Sequence, residues 1–456
     1  MSAQNVTVQI STHLADMVSP ILAALRVRNQ FSEYLLFETS DQHSDSNSTS
    51  ILAVDPLDVL EVRGGTTRTG DQVHSLAETL NAFVARFQLS QPSPHNGIFG
   101  FTGFETIQYM DTFDLQPKPE LAEIPELRYA LYRFVLVFNH ENDQLTLIHN
   151  MLEGAEPGMS AEDFLRIVFA GNAPTFPFRL DGDEHAETSE ADYLDSVKRL
   201  KQHIHRGDIF QIVPSRRFSH GFSGDDFNLY RALRTINPSP YLFYLDFGTF
   251  RLLGSSPEAQ VLVHGGTASV HPIAGTFRRT GDDASDAQAA VRLGQDPKET
   301  SEHRMLVDLA RNDLSKSCFP VRVERLQEVQ FYSHVIHLVS KVVGVLREGV
   351  TPVDVFCDTF PMGTVSGAPK HRALTLIHEH EPVARQFFAG SVGFFGFENN
   401  TVHAISIRTF LSLGDRLHYQ AGGGVVDESD PESERDEIDN KLRALRAALR
   451  VATEVQ

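Results

Sequence analysis

Two pairs of glutamates at helical spacing are the side chains of this sequence best suited to hold a metal ion. In the stretch from Asp296 to Asp313, Asp296 reads as an N-cap and Pro297 as the first helical residue, and Met305, Leu306 and Leu309 then mark an apolar side. Glu299 and Glu302 stand three residues apart, so their carboxylates share a face with Cβ atoms about 5–6 Å apart. Glu434 and Glu437 repeat the spacing in the segment from Ser433 to Lys441, where Ser433 reads as the cap. Two helix starts of this kind could converge on one hard cation, and Mg²⁺ takes carboxylate oxygens together with substrate oxygens. Acids in a first turn also complement the helix macrodipole, and Glu299 could close a capping box. Spacing by itself leaves both readings open.

Other stretches have the chemistry of a binding site for an anion. Gly363–Lys370 (Gly-Thr-Val-Ser-Gly-Ala-Pro-Lys) is a small-residue turn that runs into a helix, with hydroxyls and backbone amides available for a carboxylate or phosphate. The turn from His271 to Thr276 precedes Arg278 and Arg279, and Gly422, Gly423 and Gly424 would let backbone approach a ligand closely. Glu258 follows Ser-Ser-Pro at a strand start, and His337 sits in an apolar strand; taken singly, such residues are more often structural than catalytic.

The elements that must position these residues are those of an α+β chain. The 456 residues are 41% hydrophobic and include 32 Phe and no Trp, enough for a large core. Periodicity predicts helices at 13–30, 73–87, 160–169, 193–205, 226–235, 296–313, 352–358, 370–380 and from Ser433 onward. Between them lie many short strands in hairpin order, among them Tyr34–Thr39, Arg128–His140 with Gln144–His149, Ile209–Phe218, Tyr241–Phe247 and Val335–Val345. Residues 40–50 read as a loop, and 172–189, with Pro174, Pro177 and a run of acids, as a linker. Antiparallel sheets with helices outside are expected, rather than a doubly wound parallel sheet.

Charge and cysteine content exclude several classes. Forty basic residues against sixty acidic give a net charge of −20, and no basic arm appears, so no nucleic-acid partner is expected. Cys318 and Cys357 are the two cysteines and suit a reducing compartment. The start lacks a signal pattern and no apolar run reaches eighteen residues, so a soluble cytoplasmic protein without a membrane segment is expected. There is no Walker or Gly-x-Gly-x-x-Gly sequence to suggest a nucleotide.

Over nearly its whole length the sequence resembles the chorismate-utilising enzymes. The residues that carry the resemblance come in order: Ser256-Pro-Glu258, Pro272–Thr276, Glu302-His303, Leu306–Asp313, Gly363–Lys370, Ile407-Arg408, Gln420–Gly424 and Glu434–Lys441. Leu36–Thr39, Phe99–Gly103 and Asn237–Tyr241 are similar to the anthranilate synthase component I branch of that family. The resemblance implies one fold of two packed antiparallel sheets, with an N-terminal region (1–171) woven into it, the linker 172–189 and a catalytic region 190–456. It implies Mg²⁺ at Glu302 and Glu437, with Glu299 and Glu434 nearby. Glu258 would be the acid that assists loss of the C4 hydroxyl, His337 a participant in pyruvate elimination, and Thr364 a substrate-orienting residue. Arg408 and the amides of Gly422, Gly423 and Gly424 would bind the enolpyruvyl carboxylate beside Lys441, with Gln211, Ala274, Gly275 and Thr276 also lining the substrate site. Phe388 stands where relatives usually carry Tyr, which removes a hydroxyl from the substrate's enolpyruvyl end.

The resemblance also narrows the reaction. Members that make 4-amino-4-deoxychorismate carry Lys where Ala274 stands, and isochorismate-forming members carry Lys where Gln211 stands. Glutamine does not titrate near neutral pH, so it makes a poor base for activating water. Ammonia at C2, followed by pyruvate loss to anthranilate, is the expected outcome; the alternatives are arrest at 2-amino-2-deoxyisochorismate or a non-catalytic regulatory relative. The resemblance further implies a tryptophan site at Glu38, Thr39, Asn237, Pro240, Tyr241, Leu242, Phe243 and Gly254. Neither cysteine stands in a glycine-flanked nucleophile turn, so a separate glutamine amidotransferase subunit is expected as partner.

Overall fold

A computed structural model describes residues 3–39, 48–113, 115–119, 121, 124–156, 158–331 and 335–455. Most of the loop expected at 40–50 lies outside the described residues. Among them, hydrogen bonds join twenty-one strands into one continuous, curled sheet, with helices packed on it. The strand pairs are antiparallel, apart from Gln4–Leu14 beside Phe87–Leu89. The expected α+β class and antiparallel pairing are observed, while the two packed sheets expected are, among the described residues, one hydrogen-bonded sheet curled on itself. The pairing of Thr49–Arg63 with Leu127–Asn139 is long, and the latter strand is buried along almost its whole length. Burial on both faces is what near-continuous apolar runs such as Val135–Phe138 require.

Strands from the two ends of the chain interleave. Tyr34–Thr39 pairs with Tyr241–Asp246, and Gly97–Thr102 pairs with Ser391–Gly396. Strand Phe250–Ser256 lies between Tyr241–Asp246 and Thr409–Leu413. It leads directly into Pro257 and Glu258.

Two helices carry the glutamate pairs. Pro297–Ser317 starts with Asp296 accepting a hydrogen bond from the Glu299 amide at 3.2 Å, the capping expected from the sequence. The second helix, Pro431–Ala452, begins earlier than expected. Its cap is Asp430, which accepts from the Ser433 amide at 3.0 Å, so Ser433 lies in the first turn and is not the cap. Asp430 before Pro431 provides both the acceptor and a first residue that needs no amide partner. Glu434, Ile438, Leu442, Leu445 and Leu449 make the buried stripe of this helix. Glu434 is thus delivered to the core side, while Glu437 stands beside the stripe and is partly exposed.

Three further expectations are corrected. The helix expected at 13–30 is confined to Pro20–Val27, and strand Gln4–Leu14 precedes it. Much of that strand is exposed, which hides the period-two signal. The stretch 172–189 contains the strand Phe178–Ala186, paired with Ser215–Gly224, so it is not an unstructured linker. Its side chains are mostly exposed, and that is why an acidic composition is compatible with a strand there. The helix expected at 73–87 is shorter, Leu76–Ala85, capped by Ser75. No helix among the described residues is long and apolar enough to cross a membrane.

Candidate active site

Glu258 is buried, and Thr364 Oγ1 donates a hydrogen bond to its Oε1 at 2.9 Å. Burial pushes its pKa up to about 8, against the opposing pull of the Thr364 hydrogen bond and of the Lys441 and Arg408 charges. A carboxylic acid in this setting holds its proton at neutral pH and can deliver it to a poor leaving group. Thr364 reaches it from the turn Gly363–Val365, which packs on the helix Pro297–Ser317: a Cβ added to Gly363 would meet Leu309.

His337 stands in strand Val335–Leu346, and its Nδ1 is 2.9 Å from the carbonyl oxygen of Gly275. A carbonyl can accept but not donate, so Nδ1 carries the proton and Nε2 has the lone pair. Burial drives the His337 pKa down to about 4, with the Arg408 charge acting in the same sense and the Gly275 hydrogen bond against it. The ring is neutral at physiological pH. Gly275 has φ +66, and a Cβ there would sit 2.8 Å from Leu293 Cδ1 and 3.0 Å from Glu299 Oε2. The positive φ favours glycine, and the two side-chain ends would have to shift for any larger residue. Ala274 and Thr276 lie in the same strand, in register with Leu338 and His337. Arg408 is held with φ 50, and burial lowers its pKa while the Glu258 charge opposes that shift.

The carboxylates of the two helices meet the glycine run. Gln211 Nε2 donates to Glu302 Oε1 at 2.7 Å. A Cβ on Gly424 would lie 2.9 Å from Gln211 Nε2 and 3.5 Å from Glu302 Oε1; one on Gly423 would lie 3.1 Å from Glu434 Oε2. Glu302 and Glu434 therefore flank adjacent glycines. Glu299 instead lies against Gly275, and Glu437 pairs with Lys441 at 2.7 Å, whose Nζ also donates to the Gly422 carbonyl at 2.8 Å. No group of three or more metal-type side chains is found among the described residues. Carboxylates from two helices beside a side-chain-free backbone do suit Mg²⁺, which takes one or two protein carboxylates and fills its shell with water and substrate oxygens.

The segments expected to bind tryptophan also adjoin. Tyr241, Leu242 and Phe243 are in register with Thr39, Glu38 and Phe37, and Phe243 faces Gly254 on its other side. A Cβ on Gly254 would meet the Phe243 ring and Thr409 Oγ1. Glu38 accepts from Tyr230 Oη at 2.6 Å and from the Arg234 guanidinium at 2.9–3.2 Å. Thr39 Oγ1 donates to the Thr49 carbonyl at 3.0 Å, and Asn237 Nδ2 donates to Ser255 Oγ at 3.0 Å. Pro240, partly buried, leads into the strand.

Arg385 and Glu381 escaped the sequence reading, and other residues it named take partners that spacing did not show. Lys370, partly buried, pairs with Asp313 at 2.6 Å and donates to the Thr359 carbonyl at 3.0 Å, joining two motifs at their ends. Arg385 and Glu381 form a buried ion pair beneath the Thr364 turn. The pair lies beyond the end of helix Lys370–His380, with Pro382 between its members, so no helical spacing could have signalled it. Phe388 is buried over the Arg385 guanidinium, 5.5 Å from ring centroid to Cζ. Cys318 is buried with its pKa pushed up to about 11, and burial raises that of Cys357 as well, so neither has the lowered pKa of a reactive thiol.

Comparison with known proteins finds matches along most of the chain. The chorismate binding enzyme family matches residues 32–447. Anthranilate synthase component 1 of Thermus thermophilus is 36% identical over 459 residues, 97% of each chain. That of Aquifex aeolicus is 46% identical over 410 residues, covering 85% of this chain and 81% of the relative. The crystal structure of anthranilate synthase component I from Streptococcus pneumoniae superposes with a TM-score of 0.75 at 30% identity, covering 95% and 99% of the two chains. The menaquinone-specific isochorismate synthase of Escherichia coli, 20% identical, shares the fold with a TM-score of 0.78.

Proposed function

The chain belongs to the chorismate binding enzyme family, alongside the anthranilate synthase component 1 proteins, and from that premise we propose that it converts chorismate and ammonia to anthranilate and pyruvate. The observation that carries this reading is the buried Glu258 carboxyl held by Thr364, in a setting whose burial raises its pKa. Loss of the C4 hydroxyl needs an acid, because hydroxide is a poor leaving group. Ammonia enters at C2 as that hydroxyl leaves as water. Neutral His337, its Nε2 lone pair set by the bond from Nδ1 to Gly275, is the group proposed to take part in pyruvate elimination. Arg408 and Lys441 supply positive charge for the enolpyruvyl carboxylate beside the Gly422–Gly424 run; the Gly423 amide expected to join them is taken by the Pro214 carbonyl at 3.1 Å.

Glu302 and Glu437, with Glu434 against Gly423 and Glu299 close by, would hold Mg²⁺. When bound, that ion would bind the ring carboxylate and offset its charge. At Gln211 a neutral amide donates to Glu302, and at Ala274 there is a methyl group; neither can act as the lysine of the hydroxylating or 4-aminating members. In this reading a separate amidotransferase subunit supplies ammonia from glutamine, tryptophan inhibits at the site of Glu38 and Asn237–Phe243, and the protein is a cytoplasmic enzyme of tryptophan biosynthesis. The test is to incubate the chain with chorismate, Mg²⁺ and ammonium and identify the product. Anthranilate is expected; accumulation of 2-amino-2-deoxyisochorismate, or unchanged chorismate, would overturn the assignment.

A further inference from the structure

We propose that Arg385 is a positioning residue for the acid at Glu258, acting through the backbone turn that carries Thr364. The inference rests on the reading of Glu258 as the acid. Arg385 is 1% exposed. Its Nη1 donates to the carbonyl of Val365 at 2.8 Å, and Nη2 donates to that of Val213 at 2.5 Å. Nε and Nη2 also donate to Glu381 at 2.8 and 2.6 Å, and the plane lies over the Phe104 ring at 4.8 Å. Val365 follows Thr364, and Val213 lies two residues after Gln211. One guanidinium therefore ties together two backbone segments, next to Thr364 and near Gln211, that are far apart in sequence.

The chemistry explains why this must be arginine. Its planar fork presents five donors in fixed directions, enough for two carbonyls and a carboxylate at once; an ammonium cannot match that geometry. The pair is also fully engaged, since Glu381 Oε1 accepts from the Ser215 amide at 2.8 Å and from Ser215 Oγ at 2.6 Å. Burying such a pair gives little net stability over apolar side chains of similar volume. What apolar residues could not do is hold the Val365 carbonyl, and with it the direction of Thr364 Oγ1 toward Glu258. The charged and polar groups facing Glu258 are Thr364, Arg408 and Lys441, so a displaced turn would remove one of the three influences that oppose its neutral form.

The experiment compares Arg385→Met/Glu381→Met, Arg385→Lys, Thr364→Val and Glu258→Gln with the parent. Thermal stability is measured for each, and kcat and KM with chorismate across pH at fixed free ammonia. The paired methionine variant leaves the Val365 and Val213 carbonyls and the Ser215 amide without these partners, so it should melt below the parent while staying folded at the assay temperature, and lose about 10–100-fold in kcat, the scale of a displaced catalytic group. KM should change less than kcat. The alkaline limb of the profile should move to higher pH, as in Thr364→Val, and adding Thr364→Val should cost little more, because the two changes act on one contact. Parental kcat and profile in the folded paired variant would overturn the proposal, as would losses that add in full. Should the paired variant not fold, Arg385→Lys, which keeps a cation beside Glu381, carries the same expectation and the same refutation. Full activity in Glu258→Gln would instead sink the underlying reading of the acid, whatever the Arg385 variants do.

Discussion

Gln211 and Glu302 lie 91 residues apart in sequence, and the amide of one donates to the carboxylate of the other at 2.7 Å. A neutral, non-titrating donor thus stands against the carboxylate read as a metal ligand. It orients Glu302 without taking up its charge, leaving the oxyanion able to serve a cation.

The metal reading predicts that Glu302→Gln and Glu437→Gln each lower turnover by two or more orders of magnitude, roughly the effect of losing one preorganised electrostatic group. Because Glu434 lies on the buried stripe against Gly423, Glu434→Gln should do the same. Calorimetric titration with Mg²⁺ provides the second readout. Near-parental activity at saturating Mg²⁺ would remove that residue from the ligand set.

Glu258, with its pKa pushed up to about 8, gives a pH prediction of definite sign. Its protonated form is the active one, so kcat at fixed free ammonia should fall as pH rises through about 8. Glu258→Gln should lose about 10²–10⁴-fold, the usual contribution of a positioned acid. Stability follows the same titration: between about pH 4.5 and about 8 the folded chain retains a proton that the unfolded chain has released, so stability declines with rising pH. Glu258→Gln should flatten that decline in thermal melts. A parallel slope in the variant would count against the raised pKa.

His403 works in the acid direction. Buried between Thr401 Oγ1 at 2.8 Å and Tyr129 Oη at 2.9 Å, it has its pKa driven down to about 3 by burial. Between about pH 6.5 and about 3 the unfolded chain binds a proton that the folded chain refuses, so stability is lost as pH falls through that window. At about 1.4 kcal/mol per pH unit, His403 alone costs on the order of 2 kcal/mol at pH 5 relative to pH 7. His403→Gln should show a smaller loss between those two pH values in denaturant melts.

L-Tryptophan should bind and inhibit, and Thr39→Arg should abolish both effects. Thr39 stands in register with Tyr241, so a long cation there would intrude on the paired segments. Absence of binding by calorimetry at millimolar tryptophan would exclude the site.

The chain alone should use ammonium and ignore glutamine, since burial raises the pKa of both thiols and neither sits in a nucleophile turn. Activity with ammonium should increase from pH 7 to pH 8.5, because free NH₃ rises more over that range than the protonated form of Glu258 is lost. Glutamine-dependent product from the purified chain, without an added amidotransferase, would contradict the two-subunit reading.

Local order in the chain was enough to read the helix start at Asp296-Pro297, the i,i+3 glutamate pairs, the glycine run and the α+β alternation, because caps, spacing and turn chemistry act over a few residues. The ordered motifs also pointed to the family. The strand Phe178–Ala186 and the N-terminal strand were not legible, since much of each is exposed and little alternation marks them. Nor did spacing say which glutamate of each pair would face Gly423 and Gly424, which depends on how each helix is rotated about its axis by its buried stripe. The acid character of Glu258, the neutral ring of His337 and the clamp of Arg385 arise from desolvation and from partners brought together by pairing of distant strands. Those are properties of the closed fold: a charge is penalised only once water has been removed from around it.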